Sequence, residues 1–173
     1  MTARLTTAHT FHMAKKSAGT PALIELSAAK AEFTVHEYQH DSQTGGWGQE
    51  AATALNIEAQ RVFKTLMISL DGSLCVAVVP VSGNLDLKAA ARALGGKRAE
   101  LADPQVAQRA TGYVLGGISP LGQKKRHVTV IDESIFDFAT VLVSAGKRGM
   151  DIELRPADLV KLTHAQVALV RTP

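Results

Sequence analysis

Residues 61–80 read RVFKTLMISLDGSLCVAVVP. Two apolar runs flank Asp71-Gly72, a dipeptide that tolerates the positive φ of a tight turn, so the stretch is expected to be an antiparallel hairpin. In the first run Val62, Lys64, Leu66, Ile68 and Leu70 alternate onto one face, which places an ammonium in an apolar row. Two readings are open for Lys64. Its stem can lie along the apolar surface at the strand's start while the amine reaches water, or it can stand at a pocket floor with a pKa exposed to desolvation.

Working outward, Thr20-Pro21 caps and opens a helix over 21–31, followed by an alternating strand over 33–40. A loop over 41–48 leads to a short helix over 49–56 that stops near Asn56. After the hairpin, 84–96 reads as an amphipathic helix with a glycine stop, and Asp103-Pro104 opens another that ends at Gly112. Beyond a glycine-rich loop come a strand over 127–132 and one or two helical turns. A second hairpin follows, with strands 140–146 and 150–155 around Lys147-Arg148-Gly149, then a proline-led helix over 156–162 and a strand over 166–171. Strands and helices interleave throughout, which predicts an α/β fold with a mixed sheet. No repeat or linker-like composition divides the chain: 20–173 is expected to be one domain, and 1–19 a frayed extension.

Hydrophobic residues make up 46% and charged residues 20%, in keeping with a globular protein. The single cysteine, Cys75, has no internal disulfide partner and lies in an apolar run, which suits a reducing compartment; a cytoplasmic location is the expectation. No apolar stretch approaches the roughly 20 residues of a membrane span, and the first twelve residues lack the apolar block of a secretory signal. The formal charge of +3 is unevenly distributed. From Lys88 to Arg148 ten Lys/Arg face five Asp/Glu, a balance of +5, and the remaining nine against eleven give −2. That half suits a polyanion, although a solvated basic surface has the same composition.

The segment GYVLGGISPLGQKKRH, residues 112–127, sets four glycines and a proline beside Lys124, Lys125, Arg126 and His127. Bare backbone lets a ligand approach main-chain N–H groups, so the loop can face a phosphate or an oxyanion; a tight structural turn explains it equally well. It is neither a phosphate-binding Walker loop nor a dinucleotide fingerprint. In the second hairpin Ser144 and Asp151 flank the turn and can meet by cross-strand pairing, or simply form a polar outer face. The apolar flanks of Cys75 argue against a nucleophile. His36 and His40 lack a second cluster of ligands for zinc, and no G-x-S-x-G elbow occurs.

RVFKTLM, GGISPLG and SAGKRGMDIEL, in this order, with TPA opening the first helix, resemble the YbaK/EbsC family of prolyl-tRNA editing domains over about Thr20 to Val170. The resemblance implies a mostly antiparallel, barrel-like mixed sheet surrounded by helices, and a deacylase that hydrolyses Cys-tRNA(Pro) without metal or other cofactor. It also implies that the substrate thiol attacks its own ester, with prolyl-tRNA synthetase as transient partner. Related domains prefer Ala-tRNA(Pro) or other small residues, and a non-catalytic module binding tRNA or a synthetase is the alternative of another class. By the same resemblance Lys64, Gly116, Gly117, Ser144 and Asp151 are the catalytic set. Tyr38, Trp47, Thr65, Ile118, Ser119 and Pro120 contact the substrate. The basic pairs and triplet Lys97-Arg98, Lys124-Lys125-Arg126 and Lys147-Arg148 are expected to meet tRNA phosphates.

Overall fold

The computed structural model describes residues 19–40 and 46–173, so the extension expected over 1–19 lies, apart from Gly19, outside the described residues. The leading hairpin forms as the sequence predicts. β2 (Phe63–Leu70) pairs antiparallel with β3 (Ser73–Pro80) from Phe63↔Pro80 to Leu70↔Ser73, and Asp71 and Gly72 both take positive φ in the turn. Around this hairpin β4 (Ala99–Leu101) adds antiparallel to β2, β5 (Val128–Asp132) adds parallel to β3, and β8 (Gln166–Ala168) adds parallel to β5. The resulting five-stranded order is β4-β2-β3-β5-β8.

A second, antiparallel sheet consists of β1 (Phe33–Glu37), β7 (Met150–Leu154) and β6 (Val141–Lys147), in the order β1-β7-β6. The two sheets meet where Val62, just ahead of β2, makes a parallel bridge to Leu142 of β6. Pairing is thus mostly antiparallel, and the sheets wrap a shared interior without closing into a barrel among the described residues.

Alternation explains where the core sits. Phe63, Met67, Val76 and Val78 from the hairpin meet Val141, Val143, Ile152 and Leu154 from the other sheet. Tyr113, Ile118 and Leu121 of the glycine loop complete that core. On the opposite face Ile68, Cys75, Ala77 and Val79 pack beneath α3 (Leu87–Ala93), whose Ala90 is fully buried. Both faces of the hairpin are therefore covered, which is why its strands read as nearly continuous apolar runs.

Helix α1 (Pro21–Ala28) is capped by Thr20, whose hydroxyl accepts from Leu23 N–H at 3.3 Å and also donates to the Ala145 carbonyl of β6. It stops three residues before the predicted end because Lys30 turns left-handed at φ 55°. α2 (Trp47–Leu55) begins two residues earlier than predicted, so Trp47 leaves the expected loop and becomes its first residue. Asn56 ends it in the left-handed conformation, the usual exit of a helix at Gly or Asn. α4 (Pro104–Thr111) runs from an Asp103 cap to left-handed Gly112. α5 (Pro156–Thr163) packs against the 3₁₀ turn Glu133–Asp137. Among the described residues no helix is long and apolar enough to cross a membrane.

Candidate functional site

The site forms where the two sheets join. Because the Val62–Leu142 bridge is parallel, the residues two positions on, Lys64 and Ser144, leave it on the same side of their strands. Ser144 stands directly opposite Asp151 in the β6–β7 register, and Asp151 stands opposite His36 in the β7–β1 register. One face of the small sheet thus carries Ser144, Asp151 and His36 in a row, while Val143, Ile152 and Val35 on its other face belong to the core.

Two charged groups in this region lack partners. Lys64 is half-buried, makes no hydrogen bond or ion pair among the described residues, and has its pKa lowered by burial. Asp151 is 5% exposed, and its carboxyl makes no hydrogen bond among the described residues either. Burial pushes its pKa from 3.8 to about 6, against a smaller opposing pull from His36. His36 is itself held at 2.8 Å by Glu153, whose other oxygen meets Arg61 at 3.2 Å. Ser144 Oγ accepts from Gly146 N–H at 3.2 Å. Tyr38, one residue past β1, donates its N–H to the Gly149 carbonyl at 2.9 Å. Its phenol is pushed well above the usual range, first by burial and then by the Asp151 and Glu50 carboxylates nearby. Glu50 pairs with His40 at 2.9 Å.

The glycine loop packs beside the β6–β7 turn and under Trp47. Gly116 has φ +81°, and a Cβ there would lie 2.5 Å from the Trp47 ring, so only glycine fits under the indole. Gly117 lies against the main chain of Lys147 and Arg148, at 3.0 to 3.2 Å from a Cβ built on it. Arg148 ties the pieces together: its guanidinium lies 5.3 Å from the Trp47 ring centre and its Nε donates to the Leu115 carbonyl at 2.7 Å.

Main-chain hydrogen bonding refines the expectation for this loop. The Gly117 N–H donates to the Val114 carbonyl at 2.9 Å and is therefore engaged within the loop. The N–H groups of Gly116, Ile118 and Ser119 have no protein partner among the described residues, and Ile118 and Ser119 are buried. Buried main-chain donors are rarely left unpaired, so these three are the ones available to a ligand. The buried side-chain oxygen without a partner among the described residues is Thr65 Oγ1. By strand alternation Thr65 faces away from Lys64, toward Val78 and the shared core.

The basic groups divide. Lys147 and Arg148 are exposed beside the glycine loop. Lys124, Lys125 and Arg126 are exposed at that loop's far end, past the fully buried Ser119. Lys97 and Arg98 lie elsewhere: their N–H groups bond the Asp71 carboxylate at 2.8 and 2.9 Å, at the hairpin tip. Seven residues of strand, roughly 23 Å, separate that tip from Lys64. Cys75 is 3% exposed beneath α3, and burial raises its thiol pKa. Among the described residues no group of three or more His, Cys, Asp or Glu is placed to hold a metal ion.

The loop of unpaired donors carries a sequence signal, its glycines and proline. The roles of Trp47 and Arg148 as a stacked pair carry none, because the two are about a hundred residues apart. Neither does the engagement of Gly117 N–H.

Comparison with known proteins identifies the family. Residues 43–162 match the aminoacyl-tRNA editing domain family. The chain is 41% identical over 125 residues, 72% of its length and 76% of the relative's, to a protein of Enterococcus faecalis named as a Cys-tRNA(Pro)/Cys-tRNA(Cys) deacylase, EbsC. It is 27% identical over 165 residues, 92% of its length and 96% of the relative's, to the multifunctional Ser/Thr-tRNA deacylase ProXp-y of Escherichia coli. Among solved structures, one described as a trans-editing enzyme for prolyl-tRNA synthetase matches with a TM-score of 0.77 and 25% identity, over 91% of this chain and all of the other. A hypothetical protein shares the fold with a TM-score of 0.79 at 24% identity, over 88% of this chain and all of the other.

Proposed function

The chain belongs to the aminoacyl-tRNA editing domain family, and from that premise we infer that it is an aminoacyl-tRNA deacylase whose substrate is Cys-tRNA(Pro). The observation that supports the reading is that Lys64 and Asp151, whose side chains have no hydrogen-bond partner among the described residues, lie on strands joined by the Val62–Leu142 bridge, with a loop of main-chain donors unpartnered among those residues beside the β6–β7 turn.

An aminoacyl ester is already activated, so hydrolysis needs chiefly a held geometry and a stabilised oxyanion. The N–H groups of Gly116, Ile118 and Ser119 suit the oxyanion, because the loop fixes them before the reaction begins. Lys64 suits the α-carboxyl oxygen or the 3′-terminal ribose, and Asp151, once ionised, suits the substrate α-ammonium. Among the described residues neither side chain has a hydrogen-bond partner that a substrate would have to displace.

Among the described residues no side chain is set up as a nucleophile: Cys75 is buried under another element, and no hydrogen bond there links Ser144 to a general base. This absence fits attack by the substrate's own thiol. Its sulfur bonds to the ester carbonyl carbon, the bond to the ribose oxygen breaks, and the thiol proton ends on that oxygen. The cyclic thioester left behind is opened by water to give cysteine. A cytoplasmic protein acting in transient complex with tRNA(Pro) and prolyl-tRNA synthetase completes the reading, with the exposed basic groups on tRNA phosphates. The relative named for Ser/Thr-tRNA motivates a second reading, a broader deacylase of small residues that lack a thiol.

Release of labelled cysteine, serine and alanine from their tRNA(Pro) esters tests both. Cysteine released at least tenfold faster than the others supports the thiol route; equal rates support the broader reading; no release of any removes the function.

A further inference from the structure

A cavity outside the site above opens at the other end of the glycine loop, where residues 120–127 meet α1, β5 and the end of α5. It encloses about 270 Å³, close to the lower end of small-molecule sites. Its walls differ in chemistry. Pro120 and Leu162 supply apolar surface, while Gln123, His127, Thr129 and Thr163 supply polar edges and Arg126 a cation.

The hydrogen bonds on that wall leave defined vacant groups. His127 Nδ1 donates to Gln123 Oε1 at 2.8 Å, and the Gln123 amide nitrogen is held by the Ser119 carbonyl at 3.0 Å. With Nδ1 carrying the proton, His127 Nε2 is an acceptor with no partner among the described residues. Burial and the neighbouring Lys125 hold the imidazole toward its neutral form. Arg126 uses one N–H on His164 Nε2 at 2.9 Å and keeps the rest of its donor fork. Lys124 and Lys125 stand exposed beside it. Glu25 accepts the Gly122 N–H on one carboxylate oxygen and leaves the other as a second acceptor for a base amine, on the α1 wall of the cavity.

The geometry points to a seat for one unpaired nucleotide, its base between Pro120 and Leu162, an exocyclic amine on His127 Nε2 and its phosphate on Arg126. This inference rests on the deacylase reading for its source, the single-stranded 3′ end of tRNA just ahead of the aminoacylated adenosine. Single-stranded RNA is read through splayed bases in this way. The acceptor on His127 favours adenine and cytosine, which carry exocyclic amines, over uracil, and the CCA end common to tRNAs has no other kind of base. One loop thereby holds the ester at Gly116 to Ser119 and the preceding nucleotide at Pro120 to His127. A free mononucleotide has the same chemistry and is the competing source.

The test follows the His127 ring proton by NMR in the full chain during titration with 5′-phosphorylated CCA, UUU and free cytidine monophosphate. The seat predicts a saturable shift with CCA, at least fivefold weaker binding of UUU, and weaker binding of the mononucleotide. Arg126→Ala, an exposed change, is expected to weaken CCA about tenfold, and Leu162→Trp to fill the cleft and abolish the shift. In deacylation both variants raise KM with kcat unchanged. An unmoved His127 signal with CCA, or wild-type KM in Arg126→Ala, overturns the seat; tighter binding of the mononucleotide than of CCA overturns the RNA source. A CCA shift at His127 without any ester hydrolysis upholds the seat while removing the deacylase reading.

Discussion

Asp151 concentrates the tension between stability and function. Its carboxyl is raised to about 6, so the folded protein holds the proton more tightly than the unfolded chain does. The resulting stabilisation is fully present below pH 3.8 and is lost as pH rises through about 6. Near neutrality the buried carboxylate costs about 3 kcal/mol, a shift of roughly two units at 1.36 kcal/mol each. Asp151→Asn is therefore expected to gain on the order of 2 kcal/mol at pH 8 in urea unfolding and to flatten the stability profile between pH 4 and 6. It is also expected to lose most deacylase activity. If the variant is destabilised at pH 8, the burial argument for this residue is wrong. The wild-type rate should climb through pH 6 as the carboxylate appears.

Lys64 is conspicuous in the sequence because an ammonium interrupts an apolar row, and the structure keeps it half-buried with no side-chain partner among the described residues. The sequence left open whether Ser144 and Asp151 meet. The register places them opposite each other, despite the irregularity between Ser144 and Lys147. Local pattern cannot supply such facts, since the approach of Lys64 to Ser144 depends on a single bridge between two sheets about eighty residues apart in the chain.

At the scale of elements, the glycine loop is pinned at both ends. Gly116 sits beneath Trp47, and Gly122, at φ +67°, lies so close to α1 that a Cβ would stand 2.3 Å from the Pro21 carbonyl carbon. Gly122→Ala must both strain a left-handed residue and displace a helix start. It is expected to cost about 3 kcal/mol in denaturant unfolding. A loss below 1 kcal/mol would mean the loop is not anchored on α1. Helix caps and the two hairpin turns were legible because Asp103, Asn56, Gly112 and Asp71-Gly72 act through their own backbone. β4 escaped, since three residues cannot show alternation and its pairing with β2 is fixed by Asp71 holding the 97–98 main chain. The early start of α2 escaped as well, because Gly46 offers no side-chain cap and the indole of Trp47 is seated by tertiary contact with Gly116.

At the scale of the molecule, we propose that the division of positive charge sets how tRNA is met. Lys147-Arg148 and Lys124-Lys125-Arg126 border the glycine loop, whereas Lys97-Arg98 stand at the hairpin tip, roughly 23 Å from Lys64. A nucleic acid reaching the first two groups contacts the third only by extending along the hairpin. Binding measured against salt is expected to show a log–log slope that falls by about one for each phosphate contact removed. Replacing Lys147 and Lys124 by Ala should each lower the slope, and replacing Lys97 should do so only with full-length tRNA and not with a CCA oligonucleotide. A slope unchanged by all three would assign the basic half to solvation alone.

We propose that Lys64, two residues past the bridge that joins the sheets, acts directly on a misacylated tRNA ester. Single-turnover release of cysteine from Cys-tRNA(Pro) by wild type and Lys64→Ala, both checked for equal thermal stability, tests it most directly. The wild type is expected to deacylate and the variant to be slower by about a hundredfold, the scale of one preorganised electrostatic contact. Equal rates in the two proteins would contradict it.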